Sequence, residues 1–400
     1  MMMPTIKKAP DIRFKGFEEE WEENKLGKIG ETTIGEFVIK TRQNPNGLYP
    51  VYNGGKTYTG FYNEYNNEGN KIVISARGAN AGFVNIVENR YWAGNSCYSI
   101  EIDRKKKFDV YFIYFLIKRN QNIFTGSQQA ANIPSISKSD VEKFIINHPD
   151  YFEQTQIGSY FKELDSIIRL QEQKLEKITN LKKAMLEKMF AKEGADVAEI
   201  RFKGFTEKWK KKKLGEVVND LYNGQTPYRM TESFWKGNIN WLSSGELNRG
   251  VVKKTIEKIT ISGKKSANLR IVPAGTFVLA ITGLEATGTR GNCAILGIDT
   301  TMNQSCMAIY PNLTELNTLF LFQWYRRFSE EIGIKYTQGT KQQSFNIEII
   351  KKLEITLPKI DEQKKIGEYF QNLDQLISQF QQKIEQLKHL KQALLQKMFI

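Results

Sequence analysis

Residues able to do covalent or metal chemistry are scarce in this chain. His148 and His389 are the only histidines, far apart in sequence, and Cys97, Cys293 and Cys306 are the only cysteines, with no CxxC pair. That set does not favour a zinc site, a disulfide framework or a histidine-dependent triad. The cysteines read as small apolar strand residues. Pro149-Asp150 followed by Glu172-Gln173-Lys174 superficially matches a PD…ExK nuclease pattern. Glu172 and Lys174 fall inside a helical heptad run, however, where charges solvate the exposed face of a helix. No Gly-rich loop ends in Gly-Lys-Ser/Thr, so ATP-driven translocation is not expected of this chain. No adenine-methylase motif of the NPPF or DPPY type occurs either, and Asn44-Pro45-Asn46-Gly47 is a turn.

Polar turns beside aromatic residues are plentiful. Residues 224–230 read GQTPYRM, 234–247 read FWKGNINWLSSGEL and 273–283 read PAGTFVLAITG. Thr, Arg, Ser, Asn and Gln on such turns suit hydrogen bonding to base edges and phosphates, whereas hydride or acyl transfer would call for other groups. The charge balance agrees. Lys and Arg number 58 against 44 Asp and Glu, a net charge of +14. A surplus of that kind suits a polyanion, because each neutralised phosphate releases condensed counterions.

The elements that must position these turns are written twice. Residues 12–27 read IRFKGFEEEWEENKLG and residues 200–215 read IRFKGFTEKWKKKKLG, an offset of 188 (200 − 12). Residues 146–190 and 355–399 form a longer echo without a gap, roughly half of it identical, at an offset of 209 (398 − 189). Between the echoes the copies diverge. Asn95-Ser96-Cys97 still matches Gln304-Ser305-Cys306, and Gln128-Gln129 with Asn132 matches Gln342-Gln343 with Asn346. Trp21, Trp209, Phe14 and Phe202 recur in both copies and are expected to be core anchors.

Each long echo predicts a helix. Phe370, Leu373, Ile377, Phe380, Ile384 and Leu387 follow steps of 3 and 4, continuing to Leu394 and Met398, a coiled-coil seam. The first copy repeats it at Phe161, Leu164, Ile168, Leu175, Ile178, Met185 and Met189, with Gln171 where the second has Phe380. Pro149 and Pro358 precede the helices, and Asp361 is a candidate N-cap. A helix over residues 155–189 would be roughly 50 Å long. An antiparallel pair would relate the two copies by a pseudo-two-fold axis and hang one lobe from each end of a rod. The lobes read as α/β with short strands. Residues 38–51 and 71–74 look extended, while Tyr111 to Ile117 could be helix or strand.

Four hundred residues exceed one ordinary core, and 40% apolar with 26% charged residues is an ordinary globular composition. No apolar run approaches the roughly 20 residues that span a bilayer. The opening MMMPTIKKAP has no apolar stretch of a secretory signal, so the cytoplasm is the expected location.

The repeated Pro-x3-Glu-Gln-x2-Ile at Pro149–Ile157 and Pro358–Ile366, with the endings LKKAMLEKMF and LKQALLQKMF, resembles the specificity subunits of Type I restriction-modification enzymes. The GQTP…WLSSGEL run of the second lobe is similar to a common form of that family's target-recognition domain, and the first lobe looks like another subclass. The resemblance implies a tail at 1–9, recognition domains at 10–148 and 198–357, a central helix region at 149–197 and a C-terminal one at 358–400. It implies a non-catalytic subunit whose lobes each read half of a split, asymmetric DNA target. The helix pair would set the spacer and dock two adenine methyltransferase subunits. S-adenosylmethionine would then belong to those partners, and ATP and Mg to motor-nuclease subunits joining the methyltransferase core; this chain itself is expected to need no cofactor or metal. Candidate DNA-contacting residues are Asn53, Lys56, Tyr58, Arg77, Asn80, Gln128 and Gln129 in lobe one. In lobe two they are Thr226, Tyr228, Arg229, Ser243, Ser244, Arg290, Lys341 and Gln342. The basic runs Lys210 to Lys213 and Arg104 to Lys107 are either phosphate contacts or solvated faces. Two other readings stay open: a free-standing bivalent DNA-binding protein, and a coiled-coil protein whose lobes bind something else.

Overall fold

A computed structural model describes residues 9–103, 105, 107–126, 134–284, 290–336 and 344–400. The chain divides into two units, one of residues 1–173 with 382–400 and one of residues 174–381. Each contains one lobe, the start of one long helix and the end of the other. Those helices, Tyr151–Lys188 and Ile360–Lys397, are 38 residues each.

In the first unit, four antiparallel strands stand in the order Gly30–Ile34, Cys97–Ile102, Lys71–Ser75 and Val84–Val87. A three-stranded sheet orders Gly60–Tyr62, Tyr49–Tyr52 and Trp92–Ala93. Within residues 38–51 only the end is strand; a 3-10 turn at Lys40–Arg42 and irregular loop precede it. The ambiguous aromatic run is a helix, Val110–Arg119, started by Asp109, whose carboxylate accepts the Phe112 N–H at 2.8 Å.

In the second unit, five strands run in the order Val218–Asn223, Cys306–Pro311, Phe277–Ala280, Cys293–Leu296 and Val251–Val252. A smaller sheet orders Glu257–Ile259, Trp235–Leu242 and Thr301–Met302. All three cysteines lie in strands and are buried, as their apolar setting predicts. Burial pushes the Cys97 and Cys293 thiols up to about 12, so neither is a thiolate at neutral pH.

The recurring signatures have the same physical task in each unit. Arg13 donates to Glu153 through Nε at 2.9 Å and Nη2 at 2.6 Å, and Arg201 does so to Glu362 at 2.8 and 2.7 Å. Both carboxylates are almost wholly buried, where a two-pronged guanidinium is the partner they need. The next residue ties three segments together. Gln154 Nε2 donates to the Pro149 carbonyl and its Oε1 accepts the Asp109 N–H. Gln363 repeats this with Pro358 and Asn317. Ile157 and Ile366 are buried one turn on. Gly158 lies against the Asp109–Phe112 turn, where a Cβ would stand 2.3 Å from the Asp109 carboxylate. Together these contacts account for the Glu, Gln and Ile positions of Pro-x3-Glu-Gln-x2-Ile, and the proline contributes its carbonyl as the glutamine's acceptor.

The seam packs as predicted. In the first unit Phe112, Phe115, Phe161 and Phe399 join Trp21 in one aromatic core. In the second Phe190 packs on Phe320 and Phe370, and Trp209 meets Phe320 edge to face in the same core. Phe14 and Phe202 are half-buried edges of those cores, against Tyr160 and Tyr369. Within each unit the helix pieces run antiparallel: Asp165 meets Lys391 and Glu172 meets Lys388 in one. The helix starts correct one detail. Asp361 sits inside the first turn of Ile360–Lys397, not before it. In the first copy the side chain that accepts from the leading N–H groups is Asp150, at Phe152 and Glu153.

Candidate nucleic-acid interface

Five of the seven lobe-one candidates come together. Asn53, Lys56 and Tyr58 lie on the loop between strands Tyr49–Tyr52 and Gly60–Tyr62; Arg77 and Asn80 lie on the turn between Lys71–Ser75 and Val84–Val87. The two turns are stitched by backbone acceptors. Ser75 Oγ donates to the Gly55 carbonyl at 2.8 Å, Asn85 Nδ2 to Lys56 and Asn80 Nδ2 to Gly54. Gly54 has φ +79°, and a Cβ there would meet the Arg77 carbonyl at 2.8 Å, so only glycine fits the crossing. Asn53 is committed inward, accepting the Ser96 N–H at 3.0 Å. Lys56, Tyr58 and Arg77 are exposed. Gln128 and Gln129 lie outside the described residues.

The turn carrying Arg77 also anchors the chain that follows those glutamines. Gly78 N–H donates to Pro134 O, and Ile136 N–H to Ala76 O. Lobe two repeats the anchor: Phe345 N–H donates to Ile281 O. Lys341 and Gln342 precede it and lie outside the described residues.

The remaining lobe-two candidates gather on the smaller sheet, except Arg290. Thr226 Oγ1 donates to Gln304 Oε1 at 2.6 Å. Arg229 pairs with Glu257 at 2.6 Å and lies 4.0 Å over the Trp235 ring, so its guanidinium is occupied in holding the turn. Ser243 is likewise tied, its N–H and Oγ both reaching Glu246 at 2.9 Å, and Ser244 opens the next 3-10 turn. Tyr228 is exposed. Arg290 stands beside the helix Thr318–Tyr336, its Nε donating to Leu284 O, and its carbonyl accepts from Arg249 at 2.5 Å.

Several suspect motifs dissolve into structure. Glu172 pairs with Lys388 at 2.6 Å on the helix surface, and Asp150 caps a helix, which disposes of the nuclease pattern. His148 is buried and bonded through both ring nitrogens, to Asn24 and to Pro149 O. Lys210–Lys213 is a strand paired with Glu354–Leu357, with Lys211 bridged to Glu354 and Lys212 to Glu315. In the other basic run, Arg104 and Lys106 lie outside the described residues. Among the described residues no group of three or more His, Cys, Asp or Glu could hold a metal ion, and no helix is long and apolar enough to cross a membrane.

Sequence reasoning passed over a set of exposed apolar residues on the long helices. Ile167 and Leu390 are exposed in the first unit, Leu376 and Leu181 in the second. They are repeat partners at the offset of 209 (376 − 167 and 390 − 181), so the signal was present in the aligned echoes.

A family model described as the Type I restriction modification DNA specificity domain matches residues 18–180 and 206–389. The Type I restriction enzyme MjaVIII specificity subunit of Methanocaldococcus jannaschii is 22% identical over 335 residues, covering 82% of this chain and 77% of that protein. A putative type I specificity subunit of Mycoplasma genitalium is 20% identical over 382 residues, covering 95% of this chain and 94% of its own length. The crystal structure of a Type-I restriction-modification S subunit from M. genitalium matches the fold with a TM-score of 0.73 at 16% identity, over 98% of this chain and 99% of that one.

Proposed function

The chain belongs to the Type I restriction-modification DNA specificity family, and from that premise we propose that each of its two recognition lobes reads one half of a split, asymmetric target in double-stranded DNA. The observation that carries this reading is where the copies agree. Arg13–Glu153 and Arg201–Glu362, Gln154 and Gln363, and the aromatic cores are the same joint built twice. The turns at Asn53–Tyr58 and Thr226–Arg229 share nothing comparable. A duplicated frame suits partners that need equivalent seats, and unlike turns suit unlike half-sites.

On this reading the long helices fix the distance between half-sites, on the order of one turn of DNA. They also seat two adenine methyltransferase subunits, one on Ile167 with Leu390 and one on Leu376 with Leu181. Exposed apolar residues at repeat-related positions are what two copies of one partner would bury. Those partners supply S-adenosylmethionine, and motor-nuclease subunits with ATP and Mg join them to cut unmodified DNA. This chain performs no chemistry and works in the cytoplasm, beside the DNA that it reads.

The test is methyl transfer. The chain with its methyltransferase partner should methylate adenine at a single split motif, identified by mapping modified adenines across the host genome. The purified chain alone should transfer nothing. Methyl transfer by the chain alone, or modification without a split motif, would overturn the reading.

A further inference from the structure

Met230 and Ile256 are the two most exposed large hydrophobic side chains among the described residues, 79% and 85% accessible, and Tyr228 beside them is 68% accessible. All three flank a single ion pair. Arg229 reaches Glu257 at 2.6 Å, so Tyr228 and Met230 adjoin one partner in sequence and Ile256 adjoins the other.

The backbone at Gln225, Tyr228 and Ile256 is held by side chains of the same lobe. The Arg229 guanidinium lies 4.0 Å over Trp235 and 4.8 Å over Trp241, and the two indoles meet edge to face at 5.2 Å. Trp235 Nε1 donates to Tyr228 O and Trp241 Nε1 to Gln225 O. Ile256 N–H donates to Glu246 Oε2 at 2.7 Å, while the other oxygen of Glu246 holds Ser243. The polar groups of this tip are spent on rigidity, and three apolar side chains are left outward on a fixed mount. Exposed apolar surface is unfavourable by about 25 cal/mol per Å², so rigid presentation of three such groups marks a contact surface.

The charge around them selects the occupant. Lys236, Lys253, Lys254 and Lys258 are exposed on the same two segments, and Arg229 neutralises Glu257, leaving Glu232 as the exposed carboxylate there. Exposed cations on the same segments as apolar side chains suit a duplex whose phosphates flank stacked bases, where lysines can meet the backbone while an apolar group enters between base pairs. We propose that Tyr228, Met230 and Ile256 form a wedge that lobe two inserts at one base step, unstacking and kinking the DNA. This rests on the reading that lobe two faces DNA, and it assigns sequence preference to deformability at that step as well as to hydrogen bonds.

The experiment uses the full chain with its methyltransferase partner and a short duplex carrying the mapped target, labelled with a fluorophore pair at its ends. Binding of the unaltered protein should raise energy transfer, reporting a bend. A Tyr228→Ser, Met230→Ser, Ile256→Ser variant should lose the bend and bind on the order of tenfold more weakly, with an unchanged salt slope. A Lys254→Ala, Lys258→Ala variant should keep the bend and show a shallower salt slope. Ile256→Ser alone gives a milder version of the first effect. An unbent complex with the unaltered protein, or an undiminished bend with the triple variant, overturns the wedge while leaving DNA reading intact. No duplex binding by the unaltered complex overturns both. A triple variant that keeps the bend but loses a protein partner makes the tip a protein contact instead.

Discussion

Asp165 accepts an ion pair from Lys391 at 2.5 Å. Moving Asp165 forward by the repeat offset gives Asp374 (165 + 209), and moving Lys391 back gives Lys182 (391 − 209). Those two residues also pair. Each unit thus closes its antiparallel helix pieces with one carboxylate and one ammonium whose roles are exchanged between the helices. The surroundings differ. Lys182 is nearly buried, and Asp374 also accepts Arg326 at 2.7 Å and Gln323 at 3.2 Å. In the first unit the place of Arg326 is taken by Lys118, which donates to Val84 O and Gln121 Oε1.

Asp374→Asn is expected to be much more damaging than Asp165→Asn. Without the Asp374 charge, Lys182 and Arg326 face each other with no counter-ion, a loss of about 3 kcal/mol. Asp165 is 40% exposed and its partner reaches water, so its loss costs under about 1 kcal/mol. Urea unfolding followed by tryptophan fluorescence would show the difference in midpoint. Equal shifts would refute it.

Arg13→Lys and Arg201→Lys should destabilise their units by similar amounts, about 2–3 kcal/mol each. An ammonium cannot reproduce the two parallel N–H donors that Glu153 and Glu362 receive. Hydrogen exchange resolved by unit would measure both. A large loss in one unit and none in the other would contradict the idea of one joint used twice.

Lys118 gives stability a pH dependence of known sign. Burial lowers its pKa to about 8 from 10.5, and Lys391 adds to the effect. Between these values the unfolded chain holds a proton that the folded chain has released, so stability rises with pH across that window. It is flat below it as far as this group is concerned. Lys118→Met should remove the rise, read as the difference in unfolding midpoint between variant and parent from pH 7.5 to 10.5. A parent–variant difference that is constant across the window would be evidence against the buried amine.

Inserting a helical turn near residues 175–182, with a matching insertion in the second helix, should lengthen the spacer of the methylated motif while leaving both half-sites as they were. Four added residues extend a helix by about 6 Å, close to two base-pair steps. An active insertion variant with an unaltered spacer would exclude the ruler role proposed for the helices.

By itself the sequence determined the duplicated frame, because its signals are local. A 3,4 spacing makes a seam wherever the chain is helical, and Phe161, Leu164, Phe370 and Leu373 are buried as that pattern requires, while the repeated Trp21 and Trp209 are buried as core anchors. Even the Pro-x3-Glu-Gln-x2-Ile signature was visible, though its partners Arg13 and Arg201 were not, since those contacts join residues 140 and 161 positions apart. Tertiary structure alone decided which turn residues are available to a ligand. Thr226, Arg229 and Ser243 looked like free polar donors, yet Gln304, Glu257 and Glu246 engage them. Met230 and Ile256 carry no signal of their own in the sequence, and the Arg229–Glu257 ion pair sets their two segments side by side. Periodicity is a property of neighbours along the chain, whereas a side chain's freedom depends on what long-range strand pairing sets beside it.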